Sequence, residues 1–274
     1  MQTGRNRLLS AYALAVYAFL FLPIVILIIF SFNADKRNFN WAGFTFDWYP
    51  TLLSNELILG AVGVTLRVAF IAVLASVALG TLLGLGLARI GQRWRAPMEV
   101  LLLLPMVTPE IVMGISLLLF FAQLFGGQGS FLQITIAHIT FCISYVAIIV
   151  RARAIGLDPR LEEAGRDLGA SAWGAFRHVT LPLLAPAIAA GGMIAFALSF
   201  DDLVITSFNA GVGSSTLPLY IYSKIRFGVT PEINAVSTII VAVTAVAILI
   251  AWRLGAFRGE SRRVDVEDEV APAG

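Results

Sequence analysis

Two adjacent carboxylates, Asp201 and Asp202, interrupt the apolar run SFDDLVITSF at 199–208. Inside a bilayer a single charge costs about 2.5–3.5 kcal/mol on insertion scales, so two of them call for a function or a counter-charge. As a function, carboxylates flanked by Phe200 attract organic cations by charge and by cation–π contact, a pathway chemistry suited to amines. As a counter-charge, Arg67 is the one cation within an apolar run. Asp201 stands seven residues from Phe208 and Arg67 seven from Gly60. At 1.5 Å per residue both lie roughly 10 Å deep, which permits a structural ion pair. One Asp then pairs with Arg67 and the other, about 100° round the helix, faces the pathway; the sequence leaves open which.

The remaining reactive side chains form no catalytic group. Glu110 follows Pro109 and Glu232 follows Pro231, and capping of a helix start explains each about as well as a ligand role. Glu110 remains a pathway candidate. His138 has no second His at metal-ligand spacing and reads as a satisfied helix histidine; His178 is in a polar loop. No metal site and no Ser-His-Asp set is present, so no catalytic residue is assigned and an enzyme is not expected. Cys142, the only cysteine, excludes a disulfide framework and reads as a buried thiol. With lysine only at Lys36 and Lys224, the phosphate-binding pattern G-x-x-x-x-G-K-[ST] is absent, and no cofactor is expected on this chain.

The elements that position these residues are membrane helices. Of 274 residues 58% are hydrophobic and 13% charged, more apolar surface than a soluble domain can hide. Runs long enough to cross a bilayer lie near 11–32, 60–88, 99–122, 131–151, 183–208 and 233–255, predicting an all-α membrane protein with six transmembrane helices. Gly80 and Gly84 make a G-x-x-x-G in the second run, a close-packing face. Fourteen arginines fall in the N-terminus, 89–97, 151–182 and the end from Arg253, against four cations, Lys36, Arg37, Lys224 and Arg226, in the opposite segments. That bias places both termini and the 151–182 loop in the cytoplasm. Segment 33–57, with Trp41, Phe44, Trp48 and Tyr49, reads as interfacial. With no basic arm or basic–aromatic alternation, nucleic-acid binding is excluded.

One cytoplasmic stretch, EEAGRDLGASAWGAFRHVTLPLLAPA at 162–187, is patterned like soluble protein. Asp158 followed by Pro159 opens a helix, with Glu162 and Glu163 at its positive end. Leu157, Leu161, Ala164 and Leu168 fall on one face, Gly169 ends the helix in the left-handed conformation, and Ser171 caps a second short helix carrying Trp173, Phe176 and Val179. Two readings stand: an amphipathic hairpin on the lipid surface, or a docking element for another protein.

Glu163-Ala164-Gly165, three residues, Gly169, nine residues, then Val179, Leu181 and Pro182 resembles the E-A-A-x3-G-x9-I-x-L-P loop of bacterial ABC-importer permeases. Gly165 and Val179 depart mildly from that pattern. The resemblance implies that Glu163, Ala164, Gly165, Asp167, Leu168, Gly169, Val179, Leu181 and Pro182 couple this chain to a cytoplasmic ATPase. Further stretches, PEIVMGISLLLFF at 109–121, HITFCISYV at 138–146, SFDDLVITSF and LPLYIYSKIRFGVTPEINA at 217–235, resemble the spermidine/putrescine branch of these permeases over about residues 10–255. The likeness implies a type I ABC importer permease (MetI-like) fold in the bacterial inner membrane. Its boundaries would be a cytoplasmic N-terminus 1–10, a first transmembrane helix 11–32, a periplasmic interfacial segment 33–59, a transmembrane domain 60–255 with coupling loop 152–182, and a cytoplasmic tail 256–274. Implied partners are a second homologous permease in a heterodimer, two copies of an ABC ATPase that uses ATP and Mg, and a periplasmic polyamine-binding protein. Alternatives are a permease for ferric iron, opines or phosphonates, or a stand-alone ion-coupled secondary transporter.

Overall fold

The computed structural model describes residues 2–36, 40–126, 129–158, 160–226 and 228–253. Pro159, Arg37 and the tail 256–274 lie outside them. In chain order the helices are α1 Gln2–Phe30, α2 Trp48–Ser54, α3 Glu56–Arg89, α4 Gln92–Val107, α5 Glu110–Phe125, α6 Phe131–Ile155, α7 Arg160–Asp167, α8 Ala172–Ala175, α9 Leu181–Phe200, α10 Val204–Asn209, α11 Leu217–Ile225 and α12 Pro231–Arg253, with a π-helical turn Phe176–Thr180 between α8 and α9. The fold is all-α, as expected. Among the described residues four helical segments are singly long and apolar enough to span a membrane: Leu9–Phe30, Glu56–Arg89, Phe131–Ile155 and Ala172–Phe200. The third expected run is a pair, Arg93–Val107 and Glu110–Leu124, bent by 102°. The sixth coincides with α12, whose apolar stretch is Pro231–Val246.

The described residues divide into two compact units, one within 56–223 and the other made of those within 1–55 and 224–253. In the first, α3, α6 and α9 pack together because small residues let their backbones meet. A Cβ placed on Gly84 would lie 2.6 Å from the carbonyl oxygen of Ala147, and one on Gly80 would lie 2.7 Å from Val146 Cβ. A Cβ on Gly191 of α9 would also meet Val146, 3.3 Å from its Cα. Without a hydrophobic drive between helices in lipid, such close packing is what associates them. Val146, Val150, Ala137, Leu184 and Ala195 fill the centre, with Cys142 fully buried among them.

Two of the expected spans are broken. The helix runs through Pro105 and stops at Thr108 and Pro109, both extended, and Glu110 opens α5, the helix start that its position after proline suggests. The fifth run stops at Phe200; Asp201, Asp202 and Leu203 form a break before α10. Pro182 shapes the start of α9. Its ring would clash with the carbonyl of His178 in a regular helix. The preceding turn widens instead, and the Leu181 amide donates to the carbonyl of Phe176, five residues back.

In the second unit the segment after α1 folds on its own aromatic side chains. Phe32 stacks on Phe44 with centroids 5.2 Å apart and meets Phe46 and Tyr49 edge-on or tilted. Trp48 Nε1 donates to the Asn33 carbonyl at 2.7 Å. Asn55 Nδ2 donates to Glu232 Oε1 at 2.7 Å, so Glu232 has a structural partner and starts α12, as its position after proline suggested.

Candidate functional site

The charged loop after α6 is built as its sequence implies. Asp158 Oδ1 accepts from the Arg160 amide at 3.0 Å and opens α7. Gly169 takes φ +90°, and the Ala170 amide donates back to the Gly165 carbonyl at 3.2 Å, closing α7 through a left-handed residue. Ser171 Oγ accepts from the Gly174 amide at 3.1 Å and caps α8.

Of the motif residues, Glu163, Ala164, Asp167 and Gly169 are exposed, and Leu168 is 90% exposed. Leu181 and Pro182 form the first two positions of α9. Gly165 and Val179, the two departures from the family pattern, touch: a Cβ on Gly165 would lie 3.3 Å from Val179 Cγ2. The expected apolar face is not continuous, because Leu157 turns toward the core while Leu168 lies beyond the end of α7. The exposed apolar surface is made by Leu161, Leu168 and Trp173.

Glu162 ties this loop to the helices, a role that nothing local in the sequence signals. Its carboxylate pairs with Arg89, the last residue of α3, and accepts from Thr180 Oγ1 at 3.1 Å. Glu99 of α4 likewise pairs with Arg95 at 3.0 Å and with Arg151 of α6. The basic segments 89–97 and 151–182, assigned to one side by charge alone, therefore meet. Beneath α7 lies a cavity of about 460 Å³ bordered by Arg89, Asp158, Glu162, Glu163, Arg166 and Val179. The loop thus stands partly clear of the bundle and is held by these polar links and by Leu157 and Phe176, which pack against the core.

The second site lies at the break after α9, about 20 Å along α6 from Arg151 if measured as thirteen residues from His138. A cavity of about 250 Å³ is bordered by Glu110, Phe141, Leu198, Asp201, Asp202 and Leu203. Three of the four pathway candidates meet there. Phe200 is not on its wall; it stacks on Phe196 at 5.5 Å.

The two carboxylates differ. Asp202 accepts from the Ile205 amide at 3.2 Å and from the Thr206 amide and hydroxyl, each at 2.8 Å. His138 Nε2 lies 3.3 Å from Asp202 Oδ2. Asp201 is exposed and makes no ion pair among the described residues.

The expected ion pair of Arg67 with an aspartate is not formed. Arg67 Nε donates to the Gly63 carbonyl at 2.9 Å, and the guanidinium sits 5.8 Å from the Phe131 ring centroid. The two depths match only if both helices are continuous and α3 begins at Gly60. In fact α3 begins at Glu56 and α9 ends before Asp201, and Asp202 already has His138 as partner.

Comparison with known proteins gives concordant matches. Residues 77–257 match the family described as "Binding-protein-dependent transport system inner membrane component". The chain is 41% identical over 254 residues to the putrescine transport system permease protein PotI of Escherichia coli (strain K12), covering 90% of each chain. It is 39% identical over 253 residues to the spermidine/putrescine transport system permease protein PotC of the same organism, covering 92% of this chain and 96% of that one. A solved bacterial ABC transporter involved in the import of the acidic polysaccharide alginate aligns at TM-score 0.69 over 95% of this chain and 99% of its own; at 15% identity this likeness concerns the fold alone.

Proposed function

The chain belongs to the family of binding-protein-dependent transport system inner membrane components, and from that membership we propose that it is the permease subunit of an ATP-driven polyamine importer. The relatives named for putrescine and spermidine transport support the substrate class. So does the chemistry of the cavity, and the single observation that carries it is Asp201: a carboxylate without an ion-pair partner among the described residues, on a wall shared with Glu110. An elongated polycation that leaves water needs fixed negative charge in exchange. An anionic phosphonate would meet repulsion there.

The energy source is read as a separate ATPase pair that uses ATP and Mg and docks on the exposed residues of the 158–182 loop. A second, homologous permease would complete the pathway, a periplasmic binding protein would deliver the amine, and both termini would be cytoplasmic. Closure of the ATPases would displace α7 and α8. The links from Glu162 to Arg89 and Thr180 would carry that displacement into α3 and α9 as a rigid-body rocking of helices.

Reconstitution into proteoliposomes with those partners is the test. The expected result is accumulation of labelled putrescine or spermidine that requires both ATP and the binding protein. Accumulation by this chain alone under a proton gradient would overturn the reading in favour of a secondary transporter.

A further inference from the structure

The aspartates at the α9 break are neighbours of one type, yet the fold gives them different surroundings. The Ile205 and Thr206 amides and the Thr206 hydroxyl account for part of the difference, and the rest comes from His138, on α6. Its side chain is 2% exposed, and both ring nitrogens are engaged: Nδ1 lies 2.7 Å from Ser199 Oγ on α9, and Nε2 lies 3.0 Å from Thr206 Oγ1 on α10. The Thr206 hydroxyl gives its proton to Asp202, so Nε2 is the donor toward Thr206. One imidazole therefore spans the break, holding the last turn of one helix and the first turn of the next.

We infer that His138 is a positioning residue of the pathway: it fixes the α9–α10 break through Ser199, Thr206 and Asp202, reserves Asp202 for structure, and leaves Asp201 as the carboxylate that meets the cation. This rests on the polyamine reading above. The Asp202 side chain is 6% exposed: its Oδ2 takes the Thr206 amide and hydroxyl with His138 Nε2 3.3 Å away, and its Oδ1 takes the Ile205 amide. His138 itself has no free nitrogen and no exposed surface to offer a ligand. What the pair supplies is shape: Asp201 is held by α9 itself, through its amide to the Ala197 carbonyl, and the break is what lets Asp202 and Leu203 share the cavity wall with it instead of continuing the helix.

The test uses the assembled transporter in proteoliposomes with saturating binding protein. It reads putrescine moved per ATP hydrolysed, and the melting temperature of the purified complex. Asp201→Asn is expected to lower the transport ratio about tenfold or more with an unchanged melting temperature. Asp202→Asn and His138→Ala should each lower both readouts, and the double variant should be no worse than the worse single one to within about twofold. His138→Gln, whose amide nitrogen can reach the Nε2 position, should recover most of the ratio, whereas His138→Asn, which reaches only toward Ser199, should not. Losses that multiply in the double variant, equal behaviour of the Gln and Asn variants, or a harmless Asp201→Asn beside a crippling Asp202→Asn with unchanged melting temperature would each overturn the assignment. A wild-type transporter that hydrolyses ATP but moves no amine would instead refute the polyamine reading, and the melting-temperature cycle would still test the linkage of His138 to Asp202.

Discussion

Glu162 and Glu163 stand side by side, as Asp201 and Asp202 do, and again only one of each pair is tied to other side chains among the described residues. Glu163 belongs to the family pattern and is exposed, available to a partner. Glu162 is outside the pattern and holds the loop to α3 and to the turn before α9. A surface ion pair contributes only about 0–1 kcal/mol to stability, so its removal should leave the fold intact. Its effect belongs in transmission. Glu162→Arg and Arg89→Glu are each expected to keep ATPase activity and lose most polyamine transport, with the double exchange restoring a substantial part. Wild-type transport in both single variants would show that the loop moves the helices by another route. Arg67 is the contrasting case at this scale. Its charge is spread over a backbone carbonyl and an aromatic ring instead of a carboxylate.

At the scale of elements, breaks and close approaches do the organising. Pro109 turns one expected span into two arms at 102°, and the three residues 201–203 divide another, so that α5 and α10 meet where a Cβ on Gly114 would press on Phe208. Pro182 makes a π turn where the charged loop after α6 joins α9, a widened turn of the kind often found at functional sites. The α3–α6 seam depends on Gly84, and the atom in the way of any side chain there is a backbone carbonyl, which no rotamer change can move aside. Gly84→Leu should therefore cost at least the ~1–3 kcal/mol of an overpacked core and lower the melting temperature in detergent by several degrees. Gly86→Leu, at an exposed position with open space around it, is the control and should melt like the wild type. Equal melting of the two variants would mean that the seam does not set the stability of this unit.

Across the whole molecule, orientation is the property that decides whether the coupling reading can hold. Leu168 is 90% exposed and the only cysteine, Cys142, is buried, so Leu168→Cys provides a single reactive thiol without further engineering. A membrane-impermeant maleimide should label it only after the cells are permeabilised; labelling in intact spheroplasts would put the loop on the wrong side for a cytoplasmic ATPase. Much of this architecture was legible beforehand. Apolar run length reports the solvent, and the Asp158, Gly169 and Ser171 signals describe the loop's helices, because each of these is a local property of composition, capping or φ. The motif spacing around Gly169 is equally local. What the tertiary structure alone decided is which carboxylate is structural, where Arg67 turns, and that Glu162 and His138 are tethers. Those answers depend on contacts such as His138 to Ser199 and Thr206, 61 and 68 residues apart, or Arg89 to Glu162, 73 apart. Such pairings are set by the angles and breaks of helices packed through glycine, which a one-dimensional period does not carry.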